Sequence, residues 1–127
     1  MTSATAVPRS RTRVLVVEDD SAVRSLLRDF LELLGCAVQL AANGREALEH
    51  LQQVRPDLVL LDFMMPIMDG RAFAAAVRRD ERTVDLPIVL MSCAPEAAQV
   101  GGEIRVQALL RKPFDLDELA RVVEQLR

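Results

Sequence analysis

The stretch Pro56-Asp57-Leu58-Val59-Leu60-Leu61-Asp62-Phe63-Met64-Met65-Pro66-Ile67-Met68-Asp69-Gly70 decides how the rest of the chain is read. Leu58–Leu61 is an unbroken apolar run between two carboxylates. A strand covered by helices on both faces has no solvent side, so it shows no polar alternation. Asp62 stands where such a strand leaves the core, and Pro66 and Asp69-Gly70 follow as turn formers. In open α/β sheets, ligands bind in the crevice beyond the carboxyl ends of the strands. Taken alone, a strand-end Asp caps a turn as readily as it does chemistry. The reading depends on what else reaches the same rim.

Upstream, Val14–Val17 repeats the apolar pattern and ends on Glu18-Asp19-Asp20. Asp20 or Ser21 can cap a helix whose Val23, Leu26, Leu27, Phe30, Leu33 and Leu34 recur at helical spacing, with Gly35 just past its end. Ala37–Ala41 is a short second strand. Asn43-Gly44 then opens a helix carrying Ala47, Leu48 and Leu51, which stops before Pro56. Downstream, Asp69-Gly70 leads into a helix over Arg71–Asp80 with Phe73, Ala74 and Val77 inward. Ile88–Met91 is the fourth strand, ended by Ser92-Cys93-Ala94. Pro95–Gln107 is the least regular segment; Gly101-Gly102 is expected to interrupt any helix there, at about 1 kcal/mol per Gly relative to Ala. Val106–Leu110 reads as the fifth strand, ended by Arg111-Lys112-Pro113. Asp115 and Glu118 form a capping box for a last helix with Leu116, Leu119, Val122, Val123 and Leu126 on one stripe.

Strand and helix thus alternate five times. The expected fold class is α/β, a single doubly wound five-stranded parallel sheet flanked by helices and linked by right-handed crossovers. The domain is expected over residues 14–127, preceded by a disordered polar tail over residues 1–13 that carries Pro8, Arg9, Arg11 and Arg13.

Composition narrows the function classes. A chain of 127 residues fits one domain, and half of it is hydrophobic with no Trp or Tyr, so the core is aliphatic. A net charge of −3 is too mild for electrostatic capture of nucleic acid or an anionic membrane. No apolar run approaches the roughly 20 residues that span a bilayer, and there is no secretory segment, so a cytoplasmic protein is expected. Cys36 and Cys93 lie at no metal-ligand spacing and read as reduced packing thiols. His50, the only histidine, falls on a helix surface outside any phosphodonor context. Of sixteen basic residues only Lys112 is lysine, which points to a site needing a compact ammonium.

All strand ends of a parallel sheet face one rim, and here they carry Glu18-Asp19, Asp62, Ser92 and Lys112. Crowded carboxylates repel and call for a cation; an all-oxygen set suits Mg²⁺ better than zinc. A carboxylate nucleophile, a hard cation, an ammonium and a hydroxyl together describe phosphoryl transfer onto Asp62.

Val14–Asp20, Asp62–Gly70, Ser92 and Lys112-Pro113-Phe114 together resemble the response-regulator receiver domain of two-component signalling, over essentially the whole of Val14–Arg127. The resemblance implies the flavodoxin-like receiver fold and assigns roles. Asp62 is the phosphorylated residue. Asp19 and Asp62 ligate Mg²⁺, Glu18 acts mostly through water, and Met64 adds its backbone carbonyl. Lys112 pairs with the acceptor and then with the phosphoryl group, across a Lys-Pro peptide that is usually cis in the family, and Ser92 hydrogen-bonds a phosphoryl oxygen. The implied donor is a sensor histidine kinase or a phosphotransfer domain, and the implied output is a protein contact.

Departures from the family pattern are also visible. Leu109 stands where a switch aromatic is usual, the stretch from Ser92 to Lys112 is about two residues short, and Cys93 replaces a small residue. A single-domain regulator, monomeric and without nucleic-acid or membrane partners, is the primary expectation. A receiver that docks proteins without phosphorylation is the alternative. An aspartyl-phosphate phosphatase is disfavoured because Met64 occupies the place of its general acid.

Overall fold

The computed structural model describes residues 11–63, 69–93, 95 and 97–126. Five short apolar runs form the strands β1 (Arg13–Val17), β2 (Ala37–Ala41), β3 (Leu58–Asp62), β4 (Ile88–Ser92) and β5 (Ala108–Arg111). Between and after them lie α1 (Ser21–Leu33), α2 (Gly44–Gln53), α3 (Gly70–Arg79), α4 (Ala97–Glu103) and α5 (Leu116–Leu126). The strands make one parallel sheet in the order β2-β1-β3-β4-β5. Chain order reverses direction at β1, so the crevice at the strand ends opens there, between β1 and β3.

Local chemistry explains where helices start. The Asp20 carboxylate accepts the amides of Ala22 and Val23, Asn43 accepts Glu46, and Asp69 accepts Ala72. Asp115 and Glu118 exchange side-chain and backbone bonds at 2.8 and 3.2 Å, the reciprocal capping box. Gly35 ends the α1 turn at φ 90°, a left-handed conformation that favours glycine.

Alternation along the buried strands sends successive side chains to two separate cores. Leu15, Val17, Val59, Leu61, Ile88 and Leu90 pack under α2, α3 and α4 with Leu51, Phe73, Val77 and Val100. Val14, Val16, Leu58, Leu60, Val89 and Met91 pack under α1 and α5 with Leu27, Leu31, Leu119 and Val123. Among the described residues, no helix is long and apolar enough to cross a membrane.

Four expectations need revision. Gly101-Gly102 does not interrupt the fourth helix: α4 runs through both glycines. At Gly101 a Cβ would stand 2.9 Å from Val106 Cγ2, so the missing side chain lets α4 settle against the next segment, which offsets its weak helix propensity. The fifth strand begins at Ala108 rather than Val106, because the Val106 amide is spent on the Gly101 carbonyl at the helix end. Arg11–Arg13, placed in the tail on composition, are docked: Arg11 donates to the carbonyls of Gly35 and Cys36, and Arg13 opens β1. Cys36 is a buried packing thiol, but Cys93 is exposed, because it lies just past the end of β4. Residues 1–10 lie outside the described residues.

Candidate functional site

The same alternation that sorts the core also assembles the rim. Val16, Leu60 and Leu110 share the α1/α5 face, and two residues further along each chain stand Glu18, Asp62 and Lys112. β1 and β3 are neighbours in register Val17↔Leu61, and β3 meets β4 at Asp62↔Met91, with Met91 opposite Leu110. Lys112 Nζ therefore reaches both acids, at 3.1 Å from Glu18 Oε1 and 3.3 Å from Asp62 Oδ1. Glu18 and Asp62 are 2% and 6% exposed, so the ammonium satisfies charges that water cannot.

Asp19, exposed at the mouth, completes the cluster: Glu18, Asp19 and Asp62 offer carboxylate oxygens that all lie within 4.8 Å of one another. Three acids and one lysine leave an excess of negative charge in a half-buried cup. Burial, and then the Glu18 charge, push the Asp62 carboxyl up from 3.8 to about 6, against the pull of Lys112. Burial draws the Lys112 ammonium down, but Asp62 and Glu18 together hold it above its usual value. The donor set fits a hard divalent cation, being all oxygen, anionic and only partly closed.

Around this cup the backbone is held by specific residues. The Lys112 amide donates to the Ser92 carbonyl at 3.0 Å, which ties the β5 end to the β4 end. Ser92 is buried at the last position of β4, opposite Arg111. The Lys112-Pro113 peptide is cis. The Gly70 amide donates to the Phe63 carbonyl at 2.9 Å, and a Cβ at Gly70 would lie 2.9 Å from the Asp62 carbonyl oxygen. Gly70 is thus a spacer beside the end of β3, whereas sequence alone showed it as a turn former, a helix start and the end of the family-like segment. Arg24, not singled out from sequence, donates from Nη1 to the carbonyls of Glu18 and Asp19 at 2.8 and 3.2 Å. Its only signal was an arginine in the first turn after an acidic run.

Glu18, Asp19, Asp62 and Lys112 are therefore brought together, with Ser92 at the adjoining strand end. Met64, expected to lend a carbonyl, and Ala94 lie outside the described residues. Leu109 is half-buried and packs against the core under α4. His50 sits on α2, away from the cup, its carbonyl closing the helix end on Val54. Beside Lys112, a largely apolar groove of about 420 Å³ is lined by Val23, Leu26, Leu27, Met91, Cys93, Pro113, Phe114 and Leu116.

Comparison with known proteins accords with this geometry. The family model for the response regulator receiver domain matches residues 14–124. The response regulator MprA of Mycolicibacterium vanbaalenii is 42% identical over 91% of this chain and 50% of its own length. The DNA-binding dual master transcriptional regulator RpaA of Synechocystis is 37% identical over 91% of this chain and 49% of its own. The chain thus spans about half the length of these curated relatives. Among solved structures, chemotaxis protein CheY4 of Vibrio cholerae superimposes with a TM-score of 0.87 at 32% identity, covering 93% of this chain and all of that one. A five-stranded parallel sheet in this order, an acid–lysine cup at its carboxyl rim and a match across nearly the full length converge, and the chain belongs to the response regulator receiver domain family.

Proposed function

We propose that this domain accepts a phosphoryl group on Asp62, from a histidine kinase or a phosphotransfer protein and with Mg²⁺, and relays the signal through protein contacts. The observation that carries the reading is a buried carboxylate held 3.3 Å from the only lysine, with two more carboxylates within 4.8 Å.

Glu18, Asp19 and Asp62 would hold Mg²⁺, with the Met64 carbonyl as a further donor. When bound, the ion neutralises the crowded acids and screens the incoming phosphoryl oxygens. The remaining work belongs to the chain. An Asp62 oxygen forms the new P–O bond while the donor's P–N bond breaks, and the imidazole leaves with the electron pair. Lys112 is already paired with Asp62, so it can follow the charge onto a phosphoryl oxygen without crossing solvent. The Ser92 hydroxyl donates to another phosphoryl oxygen. The added charge beside the β4–α4 loop then biases that loop between two arrangements. The apolar groove offers a protein donor a surface that reaches Lys112, the ion-pair partner of Asp62.

Incubation with acetyl phosphate and MgCl₂, followed by intact-mass measurement, tests the reading. Wild type should gain one phosphoryl mass and Asp62→Ala none. No gain in wild type, or the same gain in both, would leave a constitutive docking module instead. A transfer profile against purified histidine kinases then identifies the donor.

A further inference from the structure

The β1–α1 loop must hold two carboxylates side by side at the rim, against their mutual repulsion. The Glu18 side chain is fastened at both oxygens: Oε1 takes Lys112 at 3.1 Å and Oε2 accepts the Asp20 amide at 3.3 Å. The Glu18 amide is fixed as well, on the Ala41 carbonyl at 3.0 Å. Asp19 differs, because its side chain is exposed at the mouth. What restrains it is largely its backbone. Arg24 reaches back from the first turns of α1 and donates from one nitrogen to the Glu18 carbonyl at 2.8 Å and the Asp19 carbonyl at 3.2 Å. Its own amide continues the helix onto the Asp20 carbonyl at 2.9 Å, so the guanidinium is anchored to the element that follows the loop. One side chain therefore gathers the carbonyls of both residues that carry the rim acids.

We propose that Arg24 is a positioning residue for the cation site: it fixes the Glu18–Asp19 backbone so that the Asp19 carboxylate stands beside Asp62 before any cation arrives. This rests on the reading of the rim as a Mg²⁺-dependent acceptor site. An exposed carboxylate on an unclamped loop has the most freedom to lose on binding, and ordering it beforehand removes that cost. Arg24 touches neither the cation nor the phosphoryl group, so it acts on affinity rather than on the chemical step. Arg28, one turn along, pairs with the exposed Asp29 at 3.2 Å and serves as a control on the same helix.

The test is calorimetric titration with MgCl₂ alone, using wild type, Arg24→Met, Arg24→Lys, Arg28→Met and Asp19→Asn. Arg24→Met should raise the Mg²⁺ Kd about tenfold, at the low end of effects seen when outer partners of metal ligands are removed. Arg24→Lys can still donate to a carbonyl and should recover most of that loss, while Arg28→Met should match wild type. With acetyl phosphate, the Mg²⁺ concentration for half-maximal rate should shift by the same factor, and the limiting rate should not. An unchanged Kd in Arg24→Met beside a weakened Asp19→Asn overturns the inference and leaves the Mg²⁺ reading standing. A lower melting temperature with an unchanged Kd also overturns it, since it marks a merely structural role. A wild type that binds no Mg²⁺ overturns both. Should Arg24→Met fail to fold, Arg24→Gln, which is too short to reach both carbonyls, takes its place.

Discussion

At Asp62, burial works against the charge that the proposed phosphoryl transfer needs. Its folded-state value of about 6 lies above the ordinary 3.8, so the folded domain binds this proton more tightly than the unfolded chain does. The stabilisation is fully present below pH 3.8 and is lost as pH rises through about 6. A difference of roughly two pH units corresponds to about 3 kcal/mol, carried at neutral pH as a cost of keeping the carboxylate ionised. Without metal, Asp62→Asn should therefore stabilise the domain at pH 7.5 by about 1–3 kcal/mol, and the gain should shrink toward pH 4. Urea unfolding in EDTA at the two pH values checks this; a destabilised variant at pH 7.5 would contradict it. The identity of Asp62, Lys112, Glu18, Asp19 and Ser92 was readable because each ends a recognisable apolar run or punctuates one. Gly70 and Arg24 were not readable as site residues. Their importance lies in backbone atoms they approach, and a sequence pattern reports side-chain type rather than proximity to a carbonyl.

Among the helices, α4 is the short one, with seven residues and two adjacent glycines. It is held from outside by Arg78 at the end of α3. That guanidinium donates to the carbonyls of Ile104 at 3.0 Å, Val84 at 3.1 Å, Leu86 at 2.8 Å and Arg105 at 2.8 Å. Gln107 continues the clasp by accepting the Ile88 amide at 2.7 Å. Burial, with the Arg105 charge nearby, holds the Arg78 pKa below its usual value. Truncation strands part-buried carbonyls rather than removing one bond. Arg78→Met should cost about 2 kcal/mol and speed amide exchange over residues 103–107 ahead of the rest of the sheet. Global exchange rising uniformly would refute a local clasp. Helix starts were legible because Asp20, Asn43, Asp69 and Asp115 act on amides two or three residues away. The continuity of α4 was not, since glycine propensity argues against a helix while its packing value depends on Val106, whose Cγ2 would lie 2.9 Å from any Cβ at Gly101.

For the molecule as a whole, the rim acids are a liability that a cation removes. A ligand present at about a hundredfold its Kd stabilises the state that binds it by about 2.7 kcal/mol. MgCl₂ should accordingly raise the melting temperature by about 10 °C, and EDTA should reverse the rise. Asp19→Asn should lose most of it; an equal rise in that variant would mean that the ion acts elsewhere. The sequence by itself determined the fold class, most element positions and the chemical types at the strand ends. Period-two alternation, caps and turn residues are short-range properties, and each is written within a few neighbouring positions. Only the tertiary structure decided that Lys112 lies 3.1 Å from Glu18, 94 positions away, and 3.3 Å from Asp62, 50 positions away. Those distances follow from the strand order β2-β1-β3-β4-β5 and from its register, which puts three chain-distant residues on one face at one height. Strand order and register arise from the mutual burial of both faces of the whole sheet, and no local stretch carries that information.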